Sequence, residues 1–128
     1  MPPRRRTDPA LGLAALRAWH ADPDGVDRST RATAVRHTLE ELAARAPGNS
    51  VEVRVPPFGV VQCVEGPRHT RGTPPNVVET DAVTWLHLAT GSLAWAQALA
   101  DGVLRVSGTR ADLSSLLPLG DGAGRAAR

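Results

Sequence analysis

Hydrophobic and polar positions recur along this chain with two different periods, and each period predicts a different element. Between residues 30 and 46, Ala32, Val35, Leu39, Leu42 and Ala46 repeat at steps of 3, 4, 3 and 4, which gathers one apolar stripe on one face of a helix. Arg36 with Glu40 and Glu41 with Arg45 stand four apart on the opposite side, a spacing that contributes about 0.3 kcal/mol per pair. Val51, Val53 and Val55 then alternate with Glu52 and Arg54, as in a strand with one buried and one wet face. Residues 60–64 form a second apolar run after the turn Pro56-Pro57-Phe58-Gly59, so a hairpin is the simplest pairing.

The flanking segments follow the same logic. Asp8 is an N-cap and Pro9 takes the first helical position, where a missing N–H is harmless. Leu11, Ala15 and Trp19, with Leu16, line one side of that helix to about His20, and Ala21-Asp22-Pro23-Asp24-Gly25 breaks it. Two Gly and three Pro make residues 66–75 a loop, and residues 76–80 read as a short third strand. A helix carrying Trp85 is capped by Thr80 or Asp81 and stopped by Gly91. Ser92 is placed to cap the next helix, where Trp95 and Leu99 stack four apart before Gly102. Leu104 and Val106 face one way on a last strand, with Arg105 and Ser107 on the other side. Residues 111–117 predict a short final helix stopped by Pro118.

This order predicts an α+β domain whose mostly antiparallel sheet is covered on one face by helices. Residues 1–7 and 120–128 read as disordered tails. A single domain spans 8–119, with 8–28 an extra N-terminal helix and linker.

Composition narrows the class. At 128 residues, 41% hydrophobic and 22% charged, the chain suits one globular domain. No apolar run approaches the ~18 residues of a membrane span. Met1-Pro2-Pro3-Arg4-Arg5-Arg6 leads into amphipathic sequence rather than an apolar stretch, so no secretory signal is read and a cytoplasmic location is expected. The pI of 9.9 does not make this a nucleic-acid binder. Fifteen Arg occur with no Lys, Ile or Tyr, the bias of a G/C-rich coding sequence. Ten Arg face eleven acidic residues across 9–119, so the body lacks a basic stripe for phosphates.

Candidate chemistry is sparse. The single cysteine, Cys63, excludes an intrachain disulfide framework and sits among valines as small core filler, not as a nucleophile paired with His69. His20, His37, His69 and His87 lack metal-ligand spacing, and no glycine motif cradles phosphate. Glu40 and Glu41 are helix-surface charges. The residues therefore point to no catalytic group, no metal and no cofactor. Arg68, His69 and Arg71 are the one concentrated polar signal, with the planar forks and switchable donor that would hold the head group of an acyl ligand.

Within 81–108, Gly91, Leu93, Ala98, Gly102, Leu104, Val106 and Gly108 fall at relative positions 0, +2, +7, +11, +13, +15 and +17, preceded by Asp81, Thr84, Trp85, Leu86 and Leu88. This pattern resembles the type-two sterol carrier domain, most closely its small stand-alone bacterial members, over residues 30–117. The resemblance implies a sheet of four or five strands, an apolar tunnel between sheet and helices, and a terminal helix closing one end. It implies a pocket lined by Phe58, Val61, Cys63, Trp85, Leu88, Trp95, Leu99, Leu104, Val106, Leu113, Leu116 and Leu117. The short loop at 66–75, in place of longer sheet, implies a shallower cavity, and the chain ends Arg125-Ala126-Ala127-Arg128 without a peroxisomal tripeptide. A fatty acyl, polyketide or terpenoid-like ligand is therefore expected ahead of sterol. The function implied is a non-enzymatic carrier for a hydrophobic small molecule. The alternative is a protein-interaction or regulatory module that keeps the fold with a filled pocket, binding a protein partner. The oligomeric state is left open.

Overall fold

Among the described residues, three of the four α-helices start at an acidic cap. Asp8, Asp27 and Asp81 accept hydrogen bonds from the backbone N–H groups of Ala10, Thr30 and Thr84, and so begin α1 (Pro9–Ala21), α2 (Arg28–Arg45) and α3 (Ala82–Thr90). The structure, a computed structural model, describes residues 5–66 and 76–120. Its remaining elements are β1 (Val51–Val55), β2 (Gly59–Cys63), β3 (Val77–Thr80), α4 (Trp95–Ala100), β4 (Leu104–Ser107) and a 3₁₀ turn at Ser114–Leu116. Among the described residues no helix is long and apolar enough to cross a membrane.

The four strands form one mixed sheet in the order β2-β1-β3-β4. The β1–β2 hairpin and the β3–β4 pair are antiparallel, as expected, whereas β1 and β3 run parallel. Topology gives the reason. β2 returns the chain to the end where β1 began, so a strand entering from that end on the other side of β1 must run alongside it. Asn76 fixes this entry. Its side chain donates to the Ser50 carbonyl at 2.7 Å and accepts the Arg110 N–H at 2.9 Å, tying the starts of β1 and β3 to the segment after β4.

Alternation sorts the sheet residues onto two faces. Val51, Val53, Val55, Cys63, Val78 and Leu104 are buried, in one core with the helices. The other face carries Glu52, Arg54, Glu79 and Arg105, with Arg54 hydrogen-bonded to Glu52 at 2.5 Å and 3.9 Å from Glu79. The α+β class with helices on one face is thus the architecture observed.

Inside, Trp85 and Trp19 are the largest fully buried side chains. Trp85 Nε1 donates to Thr38 Oγ1 at 2.7 Å, and the Thr38 hydroxyl bonds back to the carbonyls of Ala34 at 2.8 Å and Val35 at 2.9 Å. The α3 helix is thereby fixed to α2 with its one polar indole atom satisfied. Trp19 of α1 packs edge-on against His87 at 4.9 Å between ring centroids. Gly12 lets α1 approach closely: a Cβ there would lie 2.7 Å from the His37 Cβ.

Several local expectations change. Leu11 is 65% exposed, because the buried stripe of α1 runs through Gly12, Ala15, Leu16 and Trp19, about a quarter-turn away. Glu41 pairs with Arg45 at 2.9 Å as expected, but Arg36 turns to the Phe58 carbonyl and Glu40 accepts the Thr7 N–H. Ser92 does not cap α4; Ala94 occupies that position without a side-chain bond. The final helix shrinks to the 3₁₀ turn. Asp112 takes the Ser114 N–H, and the residue before Pro118 is excluded from helical geometry, so too few residues remain to nucleate an α-helix. Most of the two tails lies outside the described residues; within them Arg5 pairs with Glu41 at 2.9 Å.

Two predictions follow from this packing. Gly12→Ala gains helix propensity, yet the clash with His37 should outweigh it and lower unfolding free energy by about 1–3 kcal/mol in urea titrations. Burial raises the Cys63 thiol from 9.0 to about 11. A neutral thiol favoured by the fold stabilises fully below the unfolded value, and that stability is lost as pH climbs through the folded one. The chain has no Lys and no Tyr, so Cys63 is the one side chain expected to titrate between pH 9 and 11. Unfolding free energy should fall by roughly 2 kcal/mol across that window, and Cys63→Ala should flatten the profile.

Candidate apolar ligand site

The candidate site is built where α3 ends. Asp81 starts this helix through both carboxylate oxygens, taking the Thr84 N–H at 2.8 Å and its hydroxyl at 2.9 Å. Gly91 ends it in the left-handed region, at φ 90°, where a side chain would be strained. The N–H groups of Gly91, Ser92 and Leu93 converge on the His87 carbonyl at 3.0, 2.9 and 3.2 Å. This turn swings the chain outward and presents Leu93, Ala94 and the start of α4.

The opposite wall comes from the end of the domain. Leu113 and Leu119 are each 1% exposed and anchor the segment between them. The Leu119 N–H donates to the Ala89 carbonyl at 3.0 Å, which seats that segment on α3. Between the two walls lies a cleft of about 370 Å³, lined by Leu88, Gly91, Leu93, Ala94, Trp95, Ala96, Ser114, Leu117 and Pro118. Among the described residues no charged side chain is in this lining. The adjoining Asp112 accepts the Ser114 N–H at 2.9 Å. Hydrogen bonds from the Ser114 side chain and then its backbone hold the Asp112 carboxyl below its ordinary range.

Leu88, Trp95 and Leu117 are the expected pocket residues that this cleft brings together. Cys63, Trp85, Leu104 and Leu113 are packed into the core, with Val61 and Leu116 half-buried against it. Leu99 and Val106 are 43% and 36% exposed. Leu99 follows the outer side of a six-residue helix, and Val106 lies toward the end of an edge strand. Phe58 lines a different hollow, of about 560 Å³, on the outer face of the sheet, with the Arg28 guanidinium 5.1 Å above its ring. The expected head-group residues Arg68, His69 and Arg71 lie outside the described residues.

The outer hollow is larger, but Glu52, Arg54 and Glu79 line it. An apolar guest there would strip water from an ion pair, which is unfavourable without new partners. A third hollow, of about 330 Å³, is lined by Glu79, Asp81 and Arg105 among others and has the same defect. Chemistry therefore favours the smaller cleft for an apolar guest. Sequence reasoning missed Ala94, Ala96, Ser114 and Pro118 as part of it. Small and polar residues at a helix start and in a 3₁₀ turn carry no apolar period. Only Gly91 and Leu93, inside the recognised spacing, gave a signal.

Comparison with known families gives one finding. The profile of a family described as bacterial SCP ortholog matches residues 27–119. Comparison with curated proteins gives no match. The matched stretch starts at the Asp27 cap of α2 and ends at Leu119, so it includes both walls of the cleft and leaves out α1. The helix α1 lies before the matched residues, and with most of its length matched the chain belongs to this sterol carrier protein-like bacterial family.

Proposed function

We propose that this protein is a non-enzymatic, intracellular carrier that holds a hydrophobic small molecule in the cleft between the end of α3, the start of α4 and the C-terminal segment. The observation that carries the reading is a cleft of about 370 Å³, inside the size range of ligand sites, whose described lining residues carry no charge and include Trp95. Membership of a sterol carrier protein-like family supports the same reading. The ligand class is fatty acyl, polyketide or terpenoid-like. Among the described residues of the lining, Ser114 is the one polar side chain, with no acid or base beside it in that lining.

The size of the cleft sets the affinity to expect. At roughly 30 Å³ per atom-sized guest, 370 Å³ holds about a dozen non-hydrogen atoms. At about −0.7 kcal/mol per atom, midway in the range for small ligands, such a guest binds with a Kd near the micromolar level.

One observation favours the second reading, an interaction module with a filled interior. Trp85, Leu86, Val53 and Leu39 are at most 1% exposed and occupy the space between sheet and α2. The two readings separate in a single titration. The neutral probe N-phenyl-naphthylamine should brighten on the protein with a Kd of about 1–10 μM, and Ala94→Trp should abolish this. Ala94 is exposed and extended, so its replacement should leave the melting temperature within a degree or two. No brightening by this probe at any protein concentration up to the millimolar range would favour the module.

A further inference from the structure

The walls of the cleft also say what kind of guest it takes, an inference that rests on the carrier reading. Its lining is Leu, Ala, Gly, Trp and Pro, apart from one hydroxyl, that of Ser114. A carboxylate or phosphate entering here would give up water and find, among the described residues of the lining, no Arg or His to replace it. Instead it would meet a like charge. The Asp112 side chain is hydrogen-bonded to the Ser114 N–H at 2.9 Å, so an anionic oxygen adjoins the one polar point of the wall. A guest hydroxyl has no such penalty: the Ser114 proton is given to Asp112, but the Ser114 oxygen still accepts.

Length is limited as well. The anchored residues Leu113 and Leu119 bound the C-terminal wall on both sides, and Leu88 and Trp95 are themselves 1% and 9% exposed. Trp85 and Leu86 of the same helix are at 0% exposure in the core, so a longer chain finds no open space among them. Extra methylenes would lie along the surface in water.

We infer that the cleft selects uncharged guests of about a dozen non-hydrogen atoms, medium-chain or short isoprenoid alcohols and their neutral derivatives, over carboxylates and over long acyl chains.

The test is calorimetric titration of the full chain at pH 8 with dodecanol, dodecanoate and hexadecanol, each below its aggregation threshold, and with Ala94→Trp as the blocked control. Dodecanol should bind at least about tenfold more tightly than dodecanoate, and the control should lose both. Hexadecanol should match dodecanol within about threefold; four further buried methylenes would instead tighten it roughly two-hundredfold. Dodecanoate binding as tightly as dodecanol, or hexadecanol gaining the full chain-length increment, overturns this selectivity while the carrier reading stands. Absence of heat from all three, together with no brightening of N-phenyl-naphthylamine, overturns the carrier reading itself and this inference with it.

Discussion

The burial of Trp85, with its indole N–H given to the Thr38 hydroxyl at 2.7 Å, is the interaction on which the rest of the structure depends. A tryptophan removed from water contributes a large apolar area only if its polar atom finds a partner. Thr38 supplies that partner from the middle of α2 while its own proton returns to the Ala34 and Val35 carbonyls. The hydroxyl is thus used in both directions, and the contact fixes the rotation of α3 as well as its position. Everything at the functional end follows from where α3 stops. Gly91 turns the chain, Trp95 is laid beside Leu88, and the Ala89 carbonyl is left for the Leu119 N–H.

The packed interior and the open cleft are two sides of one constraint. A domain of this size has little apolar surface to bury, and a hollow beneath its helices would remove a large share of it. In this chain Trp19 and Trp85 are the largest fully buried side chains, and the cleft lies at the end of α3 beside that packed core. A shallow site against a rigid floor admits a guest without asking the core to open.

The helix α1 lies outside the family match, yet it is built into the core. Gly12 meets His37 of α2, and Trp19 meets His87 one turn before the end of α3. This helix therefore braces the helix whose last turn borders the cleft. Arg5 and Thr7 extend this bracing to Glu41 and Glu40 along α2. The outer face of the sheet carries charged side chains beside the exposed Val60: Glu52 and Arg54 pair along one strand, with Glu79 opposite.

Much of the fold was legible in the residues because it is written in short-range terms. The stripe of α2, the Val51, Val53 and Val55 alternation, the Asp8 and Asp81 caps and the Gly91 stop depend on spacing along the chain, and each is found in place. The spacing in 81–108 pointed to the family that the profile match shows. What the chain alone did not determine is whatever depends on contacts between distant residues. The parallel pairing of β1 with β3 is set by the end at which Asn76 enters, and the exposure of Leu11 by how closely Gly12 lets α1 approach His37. Leu119 is buried because its N–H reaches Ala89, thirty residues upstream, and no local pattern after Pro118 announces it. The cleft is the extreme case. Its walls come from two stretches of chain that meet only in three dimensions, so periodicity could name apolar residues but only packing decided which of them face a core and which face a guest.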